Sequence, residues 1–267
     1  GAKCAQNIIG IFGKPSDAIV MGTLNGVRVA FLPRHGRGHR LSPSEIPARA
    51  NIYALKALGV QRIISVSAVG SLKEEIRPLD MVVPDQLIDR TRGRVSTFFG
   101  NGIVAHVGFA EPFCPQMTAA LHRGSERMGA RVHPRGTYVV IEGPQFSTRA
   151  ESHLYRSWGA DVIGMTALPE AKLAREAEIC YSILACSTDY DCWHESEVPV
   201  TVEMVVANLN KNTALSKAIL GDVIPRVSEE RSCPCGSALE NTIITAKEEV
   251  PTEARERLSL LVGRYLL

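Results

Sequence analysis

The sequence predicts an α/β fold: a mostly parallel sheet covered by helices, with one hairpin near the start. Three observations predict it. Short runs rich in Val and Ile alternate along the chain with segments of helical periodicity. Alternating apolar residues at 18–21 and 27–32 flank Asn25-Gly26, a dipeptide suited to a two-residue hairpin turn. With 267 residues, 45% of them hydrophobic, the chain can bury one large core, and we read 1–267 as a single domain.

The elements follow in order. Residues 48–58 read as a helix stopped by Gly59, and 62–66 as a strand running into a turn at Ser67-Ala68-Val69-Gly70-Ser71. Pro78-Leu79-Asp80 leads to a strand at 81–84, and an irregular loop surrounds Thr97-Phe98-Phe99-Gly100. A helix at 116–128, a strand at 136–142, a helix at 149–158 and a short strand at 161–163 come next. A helix at 169–177 precedes the apolar run 179–184, which reads as a buried strand, and a longer helix covers 201–220. Residues 225–234 read as a linker and 251–267 as a short C-terminal surface helix.

Charge narrows the partners. The net +2 arises from 30 basic and 28 acidic residues interspersed rather than blocked, which argues against a nucleic-acid stripe or a membrane-binding face and leaves small anions open. No apolar run approaches the roughly 20 residues needed to span a bilayer, and no signal-peptide pattern opens the chain, so a cytoplasmic protein is expected. Cys4, Cys114, Cys180, Cys186 and Cys192 are scattered as reduced thiols are in that compartment. In Cys233-Pro234-Cys235 a disulfide would close a very small, strained ring, so free thiols are expected there as well.

Several segments could carry chemistry. Asp189 and Asp191 directly follow the buried run, where partial desolvation raises a carboxyl pKa; alternatively they cap the next helix. Arg34-His35-Gly36-Arg37-Gly38-His39 sets two arginines and two histidines on a backbone free to curl around an anion such as phosphate. His35 and His39 are four apart, a metal spacing on a helix, but Gly36 and Gly38 make a helix poor here and no metal is expected. Between the strand-end acid Glu142 and the next helix lie a Gly-Pro turn, Phe146, Ser147 and Thr148. That arrangement suits a planar base, or else a core aromatic followed by a helix cap. Met165, in the turn Gly164-Met165-Thr166, is by default core filler.

Together these segments resemble the trimeric purine nucleoside phosphorylases, and within them the 5′-methylthioadenosine phosphorylases. The resemblance rests on Phe12-Gly13-Lys14-Pro15-Ser16-Asp17, the 34–39 block, Ser67-Ala68-Val69-Gly70-Ser71-Leu72, Asp85-Gln86-Leu87-Ile88-Asp89-Arg90-Thr91, Glu142-Gly143-Pro144-Gln145-Phe146-Ser147, Gly164-Met165-Thr166 and Thr188-Asp189-Tyr190-Asp191-Cys192-Trp193. It implies a single-domain α/β fold with a central mixed sheet flanked by helices, assembled as a homotrimer. It implies phosphorolysis of 5′-methylthioadenosine to adenine and 5-methylthioribose 1-phosphate, with phosphate as co-substrate and no metal or organic cofactor. Carried over by position, Arg34, His35, Ser67, Ala68 and Thr166 hold phosphate. By the same carry-over, Phe146 is expected to stack on the base and Met165 to meet the ribose. Asp189 is expected to support protonation of purine N7, and Asp191 and Ser147 to meet the exocyclic amine. His39, Val202 and Val206 are expected to line the 5′ pocket, joined by His106 from a neighbouring subunit.

Other readings stay open: a phosphorylase for 6-oxopurine nucleosides or 5′-methylthioinosine, and a non-catalytic purine-binding homologue. A carboxylate at 191 disfavours the first, because it accepts from a 6-amino group but meets a 6-oxo group acceptor to acceptor. The second arises because the family opens with a strand and a glycine-rich phosphate loop, whereas only residues 1–11 precede Phe12. The loop is therefore expected to be missing, Asn7-Ile8-Ile9-Gly10-Ile11 to be a remnant of the strand, and phosphate binding to be weakened. The resemblance also brings family members that use a Cys-x-Cys pair to stabilise the fold.

Overall fold

A computed structural model of the chain describes residues 4–6, 9–195, 201–227 and 230–266. The strands β1 (Cys4–Gln6), β2 (Ile19–Leu24) and β3 (Val27–Phe31) form a small antiparallel sheet in that order. Asn25 and Gly26 turn β2 into β3 with φ of 48° and 87°, the left-handed pair that a two-residue hairpin requires.

Helix α1 (Ala48–Ala57) leads to the principal sheet, built from β4 (Arg62–Ser71), β5 (Met81–Val82), β6 (Gln86–Arg90), β7 (Val132–His133), β8 (Thr137–Ile141), β9 (Val162–Gly164) and β10 (Cys180–Asp189). Its order is β6-β8-β9-β4-β10-β5-β7. The β4–β10, β5–β7, β6–β8 and β8–β9 pairs are parallel, while β4–β9 and β5–β10 are antiparallel, so the sheet is mixed. Flanking it are α2 (Pro115–Arg127), α3 (Arg149–Ser157), α4 (Ala167–Glu176) and α5 (Val202–Val223), followed by α6 (Thr252–Arg257) and α7 (Ser259–Leu266).

Two sequence expectations need correction, and one segment left without an element gains one. The segment 67–71 is not a turn: β4 runs straight through it, with Ser67 opposite Ala185 and Ala68 opposite Cys186. Its small residues look turn-like, yet pairing with β10, buried at every position, holds them extended. The segment 86–90, read only as part of a motif, is strand β6. The C-terminal tail is two helices rather than one on the surface, and Ala254, Leu258, Leu261 and Val262 pack into the main core.

Helix α4 begins irregularly because Leu168 sits at φ −119° and ψ 140°, the extended region imposed on a residue that precedes proline. At the N-terminal end, the expected strand remnant falls partly on residues 7–8, outside the described residues; Gly10 there bridges to Gly13. Residues 228–229 of the expected linker also lie outside them, and its start, Ile224–Arg226, is a 3-10 turn. Among the described residues no helix is long and apolar enough to cross a membrane.

Candidate active site

One deep cleft opens at the β4 and β10 ends of the sheet, between the 34–39 block, the 146–147 and 165–166 turns and the start of α5. Every site residue expected from the sequence lines it except His106, which is exposed elsewhere on the chain with its backbone N–H donating to the Thr242 carbonyl.

The basic half gathers around Arg34. Its Nη2 donates to Ser65 Oγ at 2.5 Å and its Nε lies 3.4 Å from Glu170 Oε1. Burial works against this guanidinium, but the Glu170 carboxylate together with the Tyr181 and Tyr138 hydroxyls offsets it, so the Arg34 pKa stays above its ordinary value. Arg34 Nη1 is buried with no hydrogen-bond partner among the described residues. Ser67 Oγ lies 3.3 Å from both Thr166 Oγ1 and the Tyr138 hydroxyl, so the expected phosphate ligands share one network. His35 Nδ1 sits 2.8 Å from the Leu41 carbonyl, which can only accept, so Nδ1 carries the proton. Burial lowers the His35 pKa, leaving Nε2 an acceptor in the neutral ring. The His35 and His39 rings stack at 4.0 Å, and among the described residues no third ligand completes a metal set with them.

The acidic half stands at the end of β10. Asp189 Oδ2 accepts from Thr188 Oγ1 at 2.7 Å and its Oδ1 from the Asp191 backbone N–H at 2.8 Å. Asp191 takes φ 53°, the left-handed region, and its Oδ2 accepts from Ser152 Oγ at 2.6 Å. Both carboxyls are buried, and desolvation pushes both pKa values up. Neither caps the following helix: Thr201 does, its hydroxyl accepting from the Met204 N–H at 3.2 Å. Gly70 of β4 makes room for the pair, since a Cβ there would come within 3.1 Å of Asp189 Oδ1.

Between the halves lies the surface suited to a base. Phe146 is 48% exposed, so it is no core residue, and Thr148 rather than Ser147 caps α3 in a reciprocal capping box with Glu151. Ser147 Oγ is buried without a partner among the described residues. Val202 and Val206, one turn apart on α5, present exposed apolar side chains to the same cleft.

The fold that carries this two-sided cleft is that of a known family. The description "Phosphorylase superfamily" matches residues 10–225. The S-methyl-5′-thioadenosine phosphorylase of Geobacter sulfurreducens is 58% identical over 96% of this chain and 90% of its own length. The chain belongs to the phosphorylase superfamily, in its S-methyl-5′-thioadenosine phosphorylase family. The Synechocystis enzyme of that family is 57% identical, over 95% of this chain and 79% of its own. Among solved structures, a methylthioadenosine phosphorylase from an antarctic soil metagenomic library superposes with a TM-score of 0.93 at 52% identity, covering 97% of this chain and 92% of the other. A Schistosoma mansoni adenosine/methylthioadenosine phosphorylase variant in complex with methylthioadenosine gives 0.80 at 37% identity, over 85% and 86%.

The phosphorylase cleft also depends on groups that sequence reasoning missed. Glu170 is the counter-charge of Arg34, and Ser152 holds Asp191. Buried Arg94 donates to the carbonyls of Glu142 at 2.5 Å, Met165 at 2.6 Å and Leu168 at 2.7 Å, tying together the segments that lead into the 146–147 and 165–166 turns. No local pattern marks these residues, because each acts on a partner distant in sequence.

Proposed function

We propose that this cleft catalyses phosphorolysis of 5′-methylthioadenosine, releasing adenine and 5-methylthioribose 1-phosphate. The observation that carries this reading is the pair of buried polar atoms without partners, Arg34 Nη1 in the basic half and Ser147 Oγ in the base half. Buried polar groups are ordinarily satisfied, so an unpaired guanidinium N–H on a cleft-lining arginine is an anion donor awaiting its acceptor.

In the reaction a phosphate oxygen attacks C1′, the C1′–N9 bond breaks, and its electron pair passes to the purine. Arg34, Ser67 and Thr166 hold the phosphate against the ribose, and neutral His35 accepts a phosphate proton at Nε2. Asp189, kept protonated longer than an exposed acid by its burial, donates to N7 as negative charge develops on the leaving base. Phe146 stacks on the adenine, and Asp191 with Ser147 recognises its amine. Met165 underlies the ribose, and His39, Val202 and Val206 receive the methylthio group. Phosphate is a co-substrate, and the chemistry needs no metal or organic cofactor.

The reading includes a cytoplasmic homotrimer in which His106 of each subunit completes the neighbour's 5′ pocket, consistent with His106 standing exposed outside its own cleft. The deciding experiment is release of free base from methylthioadenosine and from methylthioinosine, with and without phosphate. Phosphate-dependent release of adenine, faster than that of hypoxanthine, is expected. Release of neither base would favour a purine-binding protein, and preference for the inosine compound would move the substrate to 6-oxopurines.

A further inference from the structure

Four cysteines lie together at the opposite end of β10 from the carboxylates. Cys180 begins the strand, Cys114 is the residue before α2, and Cys233 and Cys235 flank Pro234 at a 3-10 turn. Their sulfurs all fall within 4.8 Å of one another, and Cys180 Sγ is 3.4 Å from Cys233 Sγ. All four are free thiols; Cys114, Cys180 and Cys235 are buried, and Met117 packs against them. The ten residues from Cys180 to Asp189 make nine steps of about 3.3 Å, a span of about 30 Å, so the reaction as derived does not involve this cluster.

We propose that Cys114, Cys180, Cys233 and Cys235 bind one zinc ion as a structural tetrathiolate site. Zinc held by four thiolates at about 2.3 Å is tetrahedral, with sulfur–sulfur edges of about 3.8 Å. The 3.4 Å Cys180–Cys233 spacing and the 4.8 Å ceiling on all the others bracket that edge, so closing the site needs sulfur–sulfur distances to change by about an ångström or less. An iron–sulfur cluster does not fit, because its irons and sulfides stand between the thiolates and hold them further apart. The donor set is soft, which selects zinc over magnesium or calcium, and no ligand position is left for a reactive water, as in structural rather than catalytic zinc sites. The backbone around the ligands is anchored. The Cys114 backbone N–H donates to the Tyr181 carbonyl at 2.8 Å, and the Arg231 guanidinium lies against Gly236, next to Cys235. An ion here joins the start of the central strand, the helix α2 and the segment that carries α6 and α7 into the core. Sequence reading looked for metal only at His35 and His39, because two of these ligands are isolated and the other two are one residue apart.

The test uses the full chain, purified under reducing, oxygen-free conditions from zinc-supplemented medium, with metal measured by mass spectrometry. About one zinc per chain is expected, released by a mercurial thiol reagent. Cys233→Ser, at the most accessible ligand, should lower retained zinc at least tenfold, while Cys186→Ser, outside the cluster, should retain it. Cobalt added to zinc-depleted protein should give the thiolate charge-transfer and ligand-field absorption of tetrahedral cobalt, a readout that does not depend on a variant folding. Less than a tenth of a zinc per chain without a cobalt spectrum, stoichiometric iron in its place, or disulfides among these four residues in the purified protein would each overturn the proposal.

Discussion

Glu170 Oε1 lies 3.4 Å from Arg34 Nε while Glu170 Oε2 accepts the Tyr181 hydroxyl at 2.7 Å, so one buried carboxylate both balances and aims the guanidinium. Removing one member of such a pair leaves a buried charge uncompensated. Glu170→Gln should therefore lower Tm by several degrees in phosphate-free buffer, and added phosphate, as the replacement counter-ion, should raise the variant's Tm more than the parent's. Thermal unfolding with and without phosphate checks this; equal phosphate shifts in both proteins would remove Glu170 from the anion site.

Asp189→Asn should lower kcat by about 10²–10⁴-fold with little change in KM, since proton donation to N7 matters chiefly in the transition state. Stability should respond differently. A carboxyl whose folded pKa is raised stabilises the fold fully below its unfolded pKa and loses that contribution as pH rises through the folded value. The asparagine variant has no such loss, so its Tm relative to the parent should rise as pH is taken from acid towards neutral. A near-normal kcat would exclude Asp189 as the proton donor.

The apolar Val202 and Val206 predict a preference for methylthio over hydroxyl at the 5′ position of about 1–3 kcal/mol in kcat/KM. Val206→Thr should narrow that preference. Faster cleavage of adenosine than of methylthioadenosine by the parent enzyme would show that these valines do not contact the 5′ group.

A Cβ at Gly164 would stand 2.0 Å from the Tyr138 hydroxyl oxygen, and Tyr138 is fully buried with no room to withdraw. Gly164→Ala should cost about 1–3 kcal/mol of stability through overpacking. It should also disturb the Tyr138–Ser67 contact and so raise KM for phosphate. Gly108→Ala, where nothing lies within 4 Å of the added carbon, is the matched control. Denaturant titration of the two variants side by side measures the difference.

Much of this architecture was legible because it is written locally. Asn25-Gly26 specifies the hairpin, and the apolar run that opens β10 announces a buried strand. The cleft-lining residues were recovered because the motifs carrying them are contiguous. What escaped is non-local. Small residues at 67–71 are extended only because β10 lies beside them, and the tail helices are buried only because the main core offers Leu258 and Leu261 a place. Glu170 looks like any acid in the first turn of a helix, and Arg94 like a loop cation, until the chain folds each onto its partner. The cysteine cluster joins three distant segments, so spacing along the chain could not reveal it.

With Asp191 as the proposed contact to the exocyclic amine, its left-handed backbone limits how the choice of base can change. At φ 53° most side chains are strained, whereas Asn and Asp accept that conformation readily and glycine does so without penalty. The nearly isosteric step from Asp to Asn converts an acceptor-only group into one that can also donate, which is the change a 6-oxo base demands. On the proposed role of Asp191, discrimination between the two purine classes sits where the chain tolerates few replacements, and one of those few inverts the hydrogen-bonding sense. A drift in substrate preference could take place here through a single codon, with the surrounding fold left as it is.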